Sequence, residues 1–424
     1  MIVWYIDEKL TRVAIFLRSW YAGVAALLLL VLFVSCEGEP VQPDALPDVI
    51  EKGDTARRTL LVYMMAENTL SQYAGLDVDE IAKAAVGVPS DCRLFVYVDD
   101  NKLPSLAQYF CMTDGRAGSA GIDLFTEDVC SSDTAALACV LDLIINDYPT
   151  EVLDVVLWSH GDGWLPDKAR CVPMRSIGVD NGKNIHSDYT VKAVEIEELA
   201  ALLGSLPVKV GRLMFDACFM QGVEVAYALR NAVEWVIASP AEIPGDGAPY
   251  NSVVEAFFSS DGVTDILDCY KAGYDGKENG VVLSAAYMPA MQGLADATYS
   301  NVCKYFNRDK RRDYIDVFSY LPGVVQGLYG AMPCFYDANA VMCKYLTDVE
   351  YAAWSKALAD AVPYVVTTGS WYSAYLRKVC SVDMPVYSGI SMFMPQASSW
   401  YELLNVDFAA TEWYAAAGWL EAGW

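Results

Sequence analysis

The sequence predicts an α/β fold with a mostly parallel central sheet covered by helices on both faces. Three observations carry that expectation. Strand-like runs alternate with helical patterns through the first half of the 424-residue chain. The runs are apolar throughout and not at every second position, as in strands buried on both faces. A composition of 54% hydrophobic and 20% charged residues can bury a large core.

The elements follow in order. Thr59 to Ala66 (TLLVYMMA) reads as a first strand, Gly75 to Val86 as a helix, and Cys92 to Val98 as the second strand. Asp133 to Asn146 has a helical pattern, with Ser131 or Ser132 as N-cap. Val152 to Ser159 is a third strand that stops at His160-Gly161, and Val194 to Leu203 is helical. Gly211 to Phe215 is a fourth strand ending at Asp216-Ala217-Cys218, followed by a helix over Gly222 to Ala232 and a strand over Trp235 to Ser239. Beyond Asn251, Gly280 to Ala286 and Tyr387 to Met394 read as further strands with helical stretches between them. Four segments result: a leader at 1–36, an acidic tether at 37–57, a core at 58–250, and 251–424 as either the rest of that fold or an accessory subdomain.

The leader has its own signature. Lys9, Arg12 and Arg18 precede an apolar run from Ala22 to Val34, too short to span a bilayer comfortably and suited to the central region of a signal peptide. Its ending, Leu32-Phe33-Val34-Ser35-Cys36, is similar to a bacterial lipobox, in which Cys36 is lipidated. The Pro-, Asp- and Glu-rich stretch that follows reads as a solvated tether. Export as a lipoprotein to the outer membrane or cell surface is therefore expected, with the lipid as membrane anchor and Glu37 and Glu39 pointing to outward display.

With 29 basic and 55 acidic residues, the formal charge is −26. Such a surface repels phosphates, so nucleic acid is not an expected partner, whereas cationic substrates are compatible. The 12 cysteines show no C-x-x-C and no tight scaffold spacing, so few or no structural disulfides are expected; Cys139, inside an apolar run, reads as a core residue. No phosphate-binding loop, dinucleotide fingerprint or zinc-binding His-Glu-x-x-His is present.

Only two histidines exist, so any Cys/His or Ser/His mechanism must use His160 or His186. His160 lies at a strand end followed by glycines, where a side chain faces a cleft; His186 lies in a polar stretch that reads as surface loop. Cys218 lies at the end of the next strand, and ligands of parallel sheets bind beyond the carboxyl ends of strands. A helix starting near Cys218 would lower its thiol pKa, and the backbone N–H groups of Gly161 and Cys218 could form an oxyanion hole. Alone, a cysteine at a strand end is more often a packed apolar residue; the pairing with His160 points to nucleophilic catalysis.

These blocks resemble a family. His160-Gly161, Asp216-Ala217-Cys218, Val223 to Leu229 and Ala238 to Tyr250 (ASPAEIPGDGAPY) are similar to the clostripain peptidases, whose clan includes the caspases and gingipains. Weaker similarity reaches Leu61 to Asn68, Leu283 to Ala285 and Gly389 to Ser391. The resemblance implies a caspase-like α/β/α sandwich and peptide-bond hydrolysis with Cys218 as nucleophile and His160 as general acid and base. It also implies a preference for Arg or Lys before the scissile bond, with Asp216 and Asp246 at the pocket positions. Their local alternatives are a turn-capping Asp and a Gly-Asp-Gly turn.

Zymogens cut after the histidine strand occur in that family, and Lys168, Arg170 and Arg175 suit self-cleavage as well as they suit a solvated loop. The chemistry needs no cofactor. Calcium dependence is found within the family, and Asp99-Asp100-Asn101 and Asp180-Asn181-Gly182 are candidate oxygen-ligand clusters without EF-hand spacing. Two other readings share the residues: a catalytically silent, peptide-binding surface lipoprotein, and a thiol transpeptidase or amidase. Oligomeric state is not legible.

Overall fold

Strict alternation along the first strand, β1 (Arg58–Met65), generates the layered fold: Leu60, Val62 and Met64 enter one core, while Leu61, Tyr63 and Met65 enter the other. A strand apolar on both faces needs cover on both, and this one has it. The computed structural model describes residues 52–100, 102–165, 177–182, 193–310, 312, 314, 316–321 and 333–424. The leader, Cys36 and most of the tether lie outside those residues. Among the described residues no helix is long and apolar enough to cross a membrane.

The sheet contains β2 (Cys92–Asp99), β3 (Ser105–Cys111), β4 (Ala117–Ile122), β5 (Val152–Trp158), β6 (Lys209–Asp216), β7 (Trp235–Ala238), β8 (Val282–Tyr287) and, after the two-residue β9 (Tyr336–Asp337), β10 (Tyr364–Thr367). Their order is β10-β8-β7-β6-β5-β1-β2-β3-β4. The five central strands, β2-β1-β5-β6-β7, run parallel, and antiparallel pairs flank them on both sides. β8 and β10 come from beyond residue 251 and extend the same sheet. After β2 the chain builds outward in one direction, and from β5 in the other, so the strand order switches between β1 and β5. Beyond the carboxyl ends of strands at such a switch is where open α/β sheets bind ligands.

One face is covered by α1 (Ser71–Ala84), α5 (Tyr250–Phe258) and α6 (Gly262–Ala272); the other by α2 (Thr134–Asp147), α3 (Ile196–Gly204), α4 (Val223–Leu229) and α7 (Met291–Tyr305). The C-terminal part adds α8 (Ala338–Tyr345), α9 (Asp348–Ala361), the hairpin β11 (Ser370–Ser373) and β12 (Lys378–Ser381), β13 (Ser391–Met392), α10 (Glu402–Phe408) and α11 (Glu412–Ala416).

Several expectations change. The N-cap of α2 is Asp133, whose side chain accepts from Ala135 N; Ser131 is committed to Asp180 through its own N–H and hydroxyl. Tyr387 to Met394 is strand only at Ser391–Met392, because the segment crosses the end of the sheet, where Gly389 (φ +73°) turns the chain and Ser391 N–H donates to Gln221 O. The hairpin β3–β4 is new: β3 is mostly half-buried and β4 is Gly-rich and mostly exposed, so neither shows a long apolar run. Cys139 is exposed on α2, since that helix turns Val140, Leu141 and Ile144 inward instead. Among the described residues no disulfide joins two cysteines.

Candidate active site

The switch point holds a cavity of about 520 Å³ lined by residues that follow β1 (Asn68, Thr69, Leu70), β5 (Ser159, His160, Gly161, Asp162) and β6 (Cys218). The segment 242–245, Gly247 and the hairpin tip Ala374-Tyr375 add to its wall. Glu242 Oε1 holds that tip by accepting from the N–H groups of Ala374 (2.8 Å) and Tyr375 (3.2 Å).

Glycines let the histidine and cysteine loops meet backbone to backbone. A Cβ on Gly161 would lie 2.8 Å from Cys218 O, and one on Gly163, at φ +68°, 2.9 Å from Phe219 O. Among the described residues the amide N–H groups of Gly161 and Cys218 donate no hydrogen bond. Phe219, left-handed at φ 60°, anchors its loop by donating to Ala241 O.

His160 is partly buried, and burial lowers its pKa, which keeps the imidazole neutral. Its Nε2 is hydrogen-bonded to the Thr69 hydroxyl at 2.8 Å, and no hydrogen bond links it to Cys218. The Cys218 Sγ instead accepts from Ile243 N–H at 3.4 Å. Burial pushes this thiol up to about 12, with Glu242, Asp162 and Asp216 adding to the rise. The expected lowering by a helix is absent because α4 begins only at Val223, beyond its N-cap Gly222. The arrangement is a neutral thiol and a neutral imidazole facing one cavity.

A model of the clostripain family matches residues 62–424. The chain belongs to the clostripain family. Among solved structures it is similar to a secreted C11 cysteine protease from Bacteroides thetaiotaomicron in complex with an irreversible peptide inhibitor: 27% identity, TM-score 0.73, over 86% of this chain and 100% of that one. It is also similar to an inactive zymogen C11 protease from Parabacteroides distasonis: 25% identity, TM-score 0.72, over 86% of this chain and 99% of that one. A second secreted C11 protease from Bacteroides thetaiotaomicron, iotapain, shares the fold at 20% identity and TM-score 0.70, over 86% and 100% of the two chains. No curated protein matches the chain. As a member of the clostripain family, the protein is a cysteine peptidase with a caspase-like α/β fold.

In this clostripain-family site the cavity wall is acidic. Asp162, Asp216 and Glu242 line it, and none of the described lining residues is Lys or Arg. Asp216 is 2% exposed and satisfied by three donors: Ala248 N–H and the Tyr250 hydroxyl on Oδ2, and the Tyr270 hydroxyl on Oδ1, each at 2.9 Å. The Ala248 N–H comes from a segment 32 residues on, so Asp216 ties two distant loops together and does not cap its own turn, while its place in the wall sets a carboxyl beside the cavity. Asp246 sits on an exposed turn whose neighbours, Gly245 and Gly247, line the cavity. Lys168, Arg170, Arg175 and His186 lie outside the described residues.

Asp77 was not singled out from the sequence. It is 3% exposed on α1, accepts from Trp158 Nε1 at 2.8 Å, and sits behind a lining residue of the cavity. Burial, then the Asp216 charge, pushes it up to about 8. A signal was present: Ala74, Asp77, Ile81 and Ala84 form the buried stripe of α1, and Asp77 is its one charged member. A second acidic group, Glu67, Asp99 and Asp128, brings ligand-type oxygen atoms within 4.8 Å of one another near the ends of β1 and β2. Of the two clusters expected from sequence, Asp100 turns away to Lys102, and Asp180 lies close enough to Asp99 to raise its pKa.

Proposed function

We propose that this peptidase cleaves on the carboxyl side of Arg or Lys, with Cys218 as nucleophile and His160 as general acid and base. The observation that carries the reading is the cavity itself: His160 and Cys218 line it together with three carboxylates and no described cation. A cationic side chain entering this wall gains charge-assisted contacts, while an acidic one is repelled. Gly247 leaves room for it, since a Cβ there would come within 2.7 Å of Asp216 Oδ2.

In the reaction, His160 Nε2 takes the Cys218 proton as sulfur attacks the scissile carbonyl, and the Gly161 and Cys218 N–H groups hold the developing oxyanion. The imidazolium then protonates the departing amine. Water, deprotonated by His160, cleaves the thioester, releases the acid and returns the proton to sulfur. With the thiol pushed up to about 12, the resting site stores cysteine as a thiol, and His160 must exchange Thr69 for Cys218 before attack. The similarity to an inactive zymogen C11 protease supports activation by a cut, for which Lys168, Arg170 and Arg175 are the candidates. The leader supports export and lipid anchoring through Cys36.

The test uses fluorogenic peptides ending in Arg, Lys, Asp or Leu, under reducing conditions, with wild type, Cys218→Ala and His160→Ala. Cleavage after Arg and Lys should disappear in both variants. Turnover confined to Asp or Leu would overturn the pocket reading, full turnover by Cys218→Ala the dyad, and products joined to an added amine would favour acyl transfer over hydrolysis.

A further inference from the structure

Two residues of the catalytic cavity, Ala374 and Tyr375, come from the tip of the β11–β12 hairpin, far along the chain from His160 and Cys218. Among the described residues the hairpin pairs with no strand of the main sheet, so the sheet ladder does not place its tip. Contacts at both ends do. At the base, Thr368 N–H donates to Val281 O at 3.0 Å, and the Thr368 hydroxyl accepts from Val281 N–H at 2.8 Å. At the tip, Glu242 Oε1 takes the Ala374 and Tyr375 N–H groups across 132 residues of sequence. The buried Ser373 hydroxyl steadies the turn by accepting from Leu376 N–H at 3.1 Å. The Tyr375 hydroxyl is hydrogen-bonded to Asp162, two residues after His160.

The result is an aromatic ring held at the thiol with one side backed and one side open. Phe219, the residue after Cys218, lies 6.2 Å from Tyr375 between ring centroids and is itself stacked on Phe335 at 4.6 Å. Phe219 and Phe335 are buried, whereas Tyr375 keeps 37% of its surface exposed. Burial, then the charges of Asp162, Cys218 and Glu242, raises the Tyr375 pKa, which places those three groups around its hydroxyl. Ile243, whose N–H meets the Cys218 sulfur, and Pro244 are half-buried in the same cavity wall. A rigid aromatic ring with a free face and a satisfied hydroxyl is suited to receive an apolar group.

We propose that Tyr375, Ile243 and Pro244 form a second, apolar subsite beside the thiol, which takes a bulky apolar side chain of the substrate next to its basic residue. Glu242 is the positioning residue that holds the hairpin wall of this subsite. The proposal rests on the reading that a basic side chain enters the wall at Asp216 and Gly247. An extended peptide turns successive side chains to opposite sides, so the neighbour of that basic residue is directed away from the acidic wall. The Tyr375 ring and the Ile243-Pro244 edge offer it apolar surface there. Glu242 is acidic, yet its Oε1 is already committed to two hairpin N–H groups.

The test scans internally quenched peptides with the full chain, varying the residue on each side of the basic one through Gly, Ala, Leu and Phe. Wild type should favour Leu or Phe over Gly at one of the two positions by about tenfold in kcat/KM. The gain should lie mainly in KM, because burying such a side chain stabilises ground state and transition state alike. Tyr375→Ala should cut the preference to about twofold or less, while Tyr375→Phe, which keeps the ring and loses the Asp162 contact, should retain most of it. Glu242→Ala should lose the preference in the same direction, and Glu242→Gln, which keeps an acceptor for the hairpin, should restore most of it. A purely structural hairpin would lower kcat for all peptides alike and leave the preference intact. Protection of Cys218 from iodoacetamide by the same peptides gives the ranking as binding, so the result does not depend on turnover. Should cleavage fall after Asp or Leu, the basic-side reading fails, and the same scan around that residue still decides the subsite. A flat profile at both positions, or a preference that survives Tyr375→Ala, overturns it.

Discussion

Asp216 and Asp99 end β6 and β2 of one sheet, both are buried, and their surroundings differ completely. Asp216 is met by a backbone N–H and two tyrosine hydroxyls from α5 and α6, the helices that pack over its end of the sheet. Asp99 faces carboxylates from the loop after β1 and from the chain leading into α2. Asp154, in the middle of β5, is a third case: its Oδ2 lies 2.6 Å from both Arg58 and Arg212, and its Oδ1 accepts Arg212 N–H at a register shift between β5 and β6. A carboxylate in this fold is therefore ion-paired, met by neutral donors or left unmatched according to the groups its neighbours supply.

Deleting the three in turn should rank them. Asp154→Ala strands two arginines, Arg212 nearly buried, and should cost about 3–5 kcal/mol in denaturant unfolding. Asp216→Ala leaves Ala248 N–H, Tyr250 and Tyr270 without an acceptor; a loss of about 1–3 kcal/mol is expected, with turnover of Arg peptides falling more than that of neutral ones. Equal losses for both substrates would make Asp216 purely structural.

Asp77 supplies a pH test. Its charged form appears only as pH rises through about 8, so kcat/KM for Arg peptides should climb by a few-fold between about pH 7 and 9, and Asp77→Asn should remove that climb. Stability moves the other way. The folded chain keeps a proton that the unfolded chain has released, so the Asp77 contribution falls from the ordinary carboxyl value of 3.8 up to about 8. The smallest effect belongs to Asp99→Asn. Burial pushes the Asp99 carboxyl up to about 9, so at neutral pH the change removes a neutral, unmatched polar group, and stability should move by no more than about 1 kcal/mol. A loss comparable to that of Asp154→Ala would erase the contrast drawn here.

Legibility followed the source of each signal. The five parallel strands were readable because two-sided burial writes continuous apolar runs such as Leu60 to Met65. His160 and Cys218 stood out because each follows such a run directly. β3, β4 and β10 lie at the sheet margins with exposed or half-buried positions, and their short runs, Tyr109 to Cys111 and Tyr364 to Val366, are too brief to stand apart from helical or loop segments. Asp246 and Asp77 had comparable acidity in the sequence, yet the turn exposes the first and the packing of α1 buries the second beside Trp158.

The sequence by itself determined the parallel α/β core, the strand ends that present His160 and Cys218, and the glycines that let those loops touch. Apolar periodicity and chain punctuation are local properties, and they survive in one dimension. Tertiary structure alone decided that Thr69 holds His160, that a thiol expected to be acidified is instead pushed up by burial and carboxylates, and that Glu67, Asp99 and Asp128 meet. Desolvation and charge coupling depend on which distant segments approach within a few ångströms, and only the folded chain sets those distances.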